Sequence, residues 1–151
     1  MNKETLRFFM LGAALFVAGL LQFSDIAIFG VVPNFVLVVI VVAALLLRDL
    51  WYLLFLLSVA AFFLKFSPSA ELEIVTFFLI GAALIIGERK LPWHTLVNGM
   101  FLTACATTAL YAFVDRVAIS SLMFALELGY NMVLTYALYH GLMAFRLFRH
   151  R

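Results

Sequence analysis

The apolar runs constrain this chain more than any other feature. Six stretches, residues 6–23, 33–47, 50–66, 68–87, 92–113 and 119–145, are dominated by apolar side chains, with short polar breaks between them. A helix that crosses ~30 Å of hydrocarbon at ~1.5 Å per residue needs roughly 20 mostly apolar residues. The 151 residues therefore hold about six spans in one transmembrane domain, 1–151, with almost no soluble mass. Composition agrees: 67% of residues are apolar, 12% are charged, and mean hydropathy is +1.17. So few charges cannot supply the polar skin of a soluble domain. The period-2 alternation of a membrane barrel is missing, so helices must satisfy the backbone in lipid. The expected class is all-α, a polytopic bundle of about six helices.

Punctuation sets the boundaries. Ser24 and Asp25 end span one, and Gly30 and Pro33 break the short apolar stretch that follows. Pro33 suits the first position of span two, as Pro92 does for span five. Arg48–Asp49 is so short a break that spans two and three form an antiparallel hairpin. Ser67–Pro68 reads as cap and first residue of span four, with Glu71 and Glu73 near the positive end of its dipole. Lys3 and Arg7 precede an apolar run as in a signal peptide. No small-residue cleavage site follows, which makes this an uncleaved first span.

Lys and Arg set the orientation. Eight of the ten, Lys3, Arg7, Arg48, Arg89, Lys90, Arg146, Arg149 and Arg151, fall on one side of a six-span path; Lys65 and Arg116 fall on the other. Both termini are expected in the cytoplasm, with Trp51 and Trp93 at that interface. The basic tail is a topology anchor at anionic lipid and is too short for nucleic-acid binding.

The polar residues inside the spans are candidates for function. Glu127 lies about eight residues into span six, and helical spacing puts Ser120, Glu127, Asn131 and Thr135 on one face. A carboxyl group at that depth costs about 2.5–3.5 kcal/mol on insertion scales, so it should face protein or water. It is either a substrate or proton site, or a protonated or hydrogen-bonded packing residue. Span five carries Thr95, Asn98 and Cys105, and an Asn98–Asn131 contact is one way to satisfy both amides. The single Cys105 forms no internal disulfide and reads as a small hydrophobe in a helix interface. On span one, Gly12 and Gly19 share a face and Ala14 and Ala18 form a small-xxx-small pair. Such residues let helices approach closely, within the bundle or against a partner. No nucleophile, base and orienter combine at one depth, and the helical spacing offers no metal-ligand set, so neither catalysis nor a cofactor is expected.

The ordered landmarks also resemble a known pattern. Leu20–Leu21–Gln22 closes span one, Val32–Pro33–Asn34–Phe35 opens span two, and Leu91–Pro92–Trp93–His94 precedes span five. Tyr130–Asn131 lies in the last span, and the chain ends in Arg-rich 146–151. Together these resemble MreD, the rod shape-determining membrane protein family of bacteria. The chain departs from the family at spans three and four: Phe62–Ser67 has Lys65 near a position where the family carries Asp, and few glycines. The resemblance implies a non-catalytic scaffold of the cell-elongation and peptidoglycan machinery. It implies a single-span partner, MreC, and through it the MreB filament and a class B penicillin-binding protein with its polymerase. It also implies a fold like the substrate-binding subunits of energy-coupling-factor vitamin transporters. The alternative function follows from that fold, with Ala14–Ala18 as a docking surface and Glu127 with Asn131 holding a ligand.

Overall fold

A computed structural model describes residues 2–24, 27–28, 30–64, 70–88, 90–114, 116–145 and 148, with backbone alone for 64, 70–73 and 116. The described residues form six α-helices and one short 3₁₀ helix: α1 (Lys3–Phe23), α2 (Phe35–Leu46), α3 (Leu50–Leu64), α4 (Ala70–Glu88), α5 (Thr95–Val114), the 3₁₀ helix Arg116–Ser120, and α6 (Leu122–Ala144). The all-helical class holds, and each helix overlaps one expected span. Two of them, α1 and α5, are both long and apolar enough to cross a membrane; α2, α3 and the searched part of α4 are apolar but shorter.

The starts of three helices differ from expectation, and each difference has a local cause. Asn34 is the N-cap of α2, its side chain accepting the Leu37 N–H at 2.9 Å, so Pro33 stands outside the helix. At α5 the His94 Nδ1 accepts the Leu96 N–H at 3.4 Å, and the helix begins at Thr95, three residues after Pro92. The Ser121 hydroxyl accepts the Phe124 N–H at 3.2 Å and caps α6, which cuts off the 3₁₀ turn. Ser120 therefore lies outside α6, exposed, and does not share a face with Glu127. The expected cap at Ser67–Pro68 lies outside the described residues. Between α1 and α2, Ile28 and Val31 exchange backbone hydrogen bonds at 2.8 and 3.1 Å. Gly30, with φ of +81°, makes that turn where a side chain would be strained.

Helix α2 is the axis of the molecule. Val36 through Leu47 are all buried, which is what an all-round apolar helix requires. It packs against each of the other five α-helices. Around it run α1, α3, α4, α5 and α6 in that order, each touching the next, but α6 and α1 do not close the ring.

Long-range hydrogen bonds fix which ends lie together. Glu4 on α1 accepts the Arg48 N–H at 2.7 Å, and the Arg7 guanidinium lies 5.7 Å from the Phe148 ring centre. The start of α1, the α2–α3 turn and Phe148 thus share one end of the bundle, the basic end. Gln22 accepts the Phe35 N–H at 3.1 Å at the opposite, far end. The outward faces of the five outer helices are apolar, with Phe9, Phe16, Phe55, Leu79, Phe113 and Val133 all more than half exposed.

Candidate functional site: the α5–α6 polar seam and the open side of α6

Helices α5 and α6 run antiparallel, and each step of four residues along one is matched by a step of four back along the other. Tyr111 meets Glu127, Thr107 meets Asn131, and Thr103 meets Thr135. Positions four apart fall on one helix face, so the polar groups of both helices form a single seam.

Asn131 is its centre and is fully buried. Its Nδ2 donates to Thr107 Oγ1 at 3.1 Å, and its Oδ1 accepts the Asn34 N–H at 2.9 Å. A helix start leaves four N–H groups without intrahelical partners. At α2 the first turn is met by Gln22 from α1 and by Asn34 itself, and Asn131 from α6 takes the N–H of the cap residue. One amide thereby ties α6 to both α5 and α2.

Below it, Thr103 and Thr135 are completely buried with their hydroxyls 2.9 Å apart. Thr103 also reaches the Gly99 carbonyl at 2.9 Å, and Thr135 the Asn131 carbonyl at 2.8 Å. Two hydroxyl protons serve three contacts, so the Thr–Thr bond forms only when one hydroxyl turns from its carbonyl. Gly99, one turn before Thr103, instead lets α5 approach α2: a Cβ there would sit 2.6 Å from Leu45.

Glu127 stands one turn beyond Asn131 toward the far end and accepts the Tyr111 hydroxyl. It is partly buried, and no cation among the described residues pairs with it. Asn98 does not meet Asn131. It lies near the basic end, where its Nδ2 donates to the Leu91 carbonyl at 3.3 Å and its buried Oδ1 has no partner among the described residues. Cys105 is exposed, contrary to its expected place in a helix interface, because α5 turns the face holding Thr103, Ala106 and Thr107 inward. His140 is exposed between the Tyr136 and Tyr139 rings. Among the described residues no His, Cys, Asp and Glu cluster could hold a metal ion.

The four small residues of α1 do not form one face. Gly12 and Gly19 turn to α3, where Cβ atoms would lie 3.9 Å from Leu56 and 2.8 Å from the Phe63 ring. Ala14 and Ala18 instead line a groove of about 430 Å³ between α1 and α6. Phe35, Val38 and Val39 of α2 form its floor, and Leu134 and Leu138 its α6 wall.

Thr103, Thr107 and Tyr111 belong to the seam, and the sequence reading did not single them out. The repeat of four at 99, 103, 107 and 111, mirrored at 127, 131 and 135, was the available signal.

No family model, curated protein or solved structure matches the chain.

Proposed function

We propose that this chain is a six-span scaffold of the bacterial inner membrane, similar to the MreD family, that binds an MreC-like single-span protein in the cell-elongation complex. Both termini face the cytoplasm, and the scaffold catalyses nothing itself. One contact carries the proposal. Two of the motifs that carry the family resemblance, Pro33–Asn34–Phe35 and Tyr130–Asn131, are far apart in sequence, yet Asn131 accepts the N–H of Asn34, 97 residues before it. The seam side chains are engaged with one another and with α2, which suits a rigid platform better than a site that exchanges small molecules. The apolar outer faces suit contact with lipid. The basic end gathers Arg7, Arg48 and Phe148 on one side, in keeping with cytoplasmic termini.

Co-expression with the single-span partner followed by affinity purification of this chain tests the scaffold. The expected result is a stoichiometric complex. A purified protein that retains a vitamin and no partner would identify a transporter subunit instead. Reporter fusions test the path: those after Arg48, Lys90 and Arg151 should read cytoplasmic, those after Ser67 and Asp115 external. An external signal at Lys90 would break the six-span arrangement.

A further inference from the structure

Helix α6 is pinned along one half only. Glu127, Asn131 and Thr135 bond to Tyr111, Thr107, the Asn34 N–H and Thr103. Among the described residues, no hydrogen bond joins residues 136–144 to another helix. That half is held by apolar burial, chiefly of Tyr139 and Leu142. In lipid, apolar burial gives little drive of its own to keep helices together.

The open side of the bundle borders the same half. Arg7 stands seven residues before Ala14, about two turns, and so near the groove face of α1. Gly141 stands seven residues after Leu134 on α6, and a Cβ there would meet nothing within 4 Å. Helices α1 and α6 do not touch, but Phe148, four residues beyond α6, reaches α1. A turn brings it there: the Phe145 N–H donates to the Leu142 carbonyl at 3.0 Å, and the Phe148 N–H to the Phe145 carbonyl at 3.1 Å. Phe148 is 3% exposed and belongs to the apolar core, with its ring centre 5.7 Å from the Arg7 guanidinium. Its seat is firm. Arg7 is itself buried and lies 3.6 Å from Glu4, which accepts the Arg48 N–H. The segment after α6 is thereby tied to the start of α1 and to the α2–α3 turn.

We propose that Phe148 is a latch that closes the α1–α6 side of the bundle at the basic end, and that its release lets α6 tilt about the seam and carry residues 136–144 away from α1. The seam and the Asn131–Asn34 contact keep the first half of α6 in place, so the groove widens at one end only. The latch is one buried aromatic ring with a cation over it. It opens without breaking any hydrogen bond of the seam, as a local event and not as unfolding of the bundle.

The test uses the full chain in lipid nanodiscs, with Cys105 replaced by Ser and two spin labels per molecule, their separation read by double electron–electron resonance. One label pair, on Leu6 and Gly141, spans the basic end of the open side. The other, on Leu20 and Gly129, spans the far end, and all four positions are exposed. Phe148→Ala should shift the first separation to longer values and broaden it, and leave the second as it was. An unchanged first separation overturns the latch. An equal change in both overturns it as well, because Phe148 would then support the whole bundle and not one end of it. If Phe148→Ala fails to fold, a protease site placed after Phe145 allows the segment with Phe148 to be cut from the folded chain and removed. The same two separations, read before and after cutting, then decide by the same outcomes.

Discussion

Helix α6 has two flanks of opposite character. Toward α5 it is polar, interlocked at a fixed register and closed to the outside, with Asn131 and Thr135 completely buried. Toward α1 it is apolar, touches no helix and borders open space at Leu134 and Leu138. The polar flank holds the bundle together, because its side chains are bonded to fixed neighbours on α5, α6 and α2. The apolar flank specifies no such partner within the chain and is free to receive one from outside. Polarity inside this protein therefore marks structure more than exchange, and the apolar side marks the candidate for recognition.

The comparison predicts a ranking of mutational effects. Asn131→Ala should do the most damage, since it strands the Thr107 hydroxyl and the Asn34 N–H together and leaves a cavity. A loss of about 2–4 kcal/mol is expected in thermal melts of the detergent-purified protein. A loss below ~1 kcal/mol would mean that the seam does not hold α2. Next comes Gly99→Val, which drives a side chain into Leu45 and should cost about 1–3 kcal/mol. Unchanged melting there would show that α5 can draw back from α2 without penalty, contrary to close packing on the inner side of the seam.

Thr103→Val should have a smaller effect, about 0.6 kcal/mol, near the average for hydrogen bonds between membrane helices. Thr135 keeps its bond to the Asn131 carbonyl, so no buried hydroxyl is stranded. A double-mutant cycle with Thr135→Val measures the coupling, and a coupling near zero would remove the Thr–Thr bond from the account. The smallest stability change is expected for Val17→Ala on the open flank, within about 0.5 kcal/mol. A large drop in melting temperature would mean that the groove wall supports the fold, and the contrast between the flanks would fail.

Much of the fold was legible because long apolar runs and short polar breaks leave helices little choice of position. The ends of helices were less so. Pro33 and Pro92 each looked like a first helical residue, but Asn34 and His94 just beyond them accept hydrogen bonds from N–H groups two or three residues on. A local side-chain acceptor decided the start, and proline only permitted it. For the site, Glu127 and Asn131 stood out as polar residues in an apolar run. Their partners did not, since Thr103, Thr107 and Tyr111 are unremarkable in composition and acquire meaning only from the register of α5 against α6. Gly12, Ala14, Ala18 and Gly19 were legible as a group, yet sequence could not divide them between α3 and the groove, because that depends on which neighbours α1 finds.

Helix α2 has 12 residues, so it is about 18 Å long and its start lies within protein. The group that meets the Asn34 N–H comes from Asn131, made 97 residues later. During synthesis the cap residue of the central helix must therefore wait, its N–H without that acceptor, until the last helix arrives. A chain stopped before α6 would hold five of its six helices and still lack the closing step of assembly. Any quality-control system that senses exposed backbone at the start of α2 would discriminate finished chains from unfinished ones.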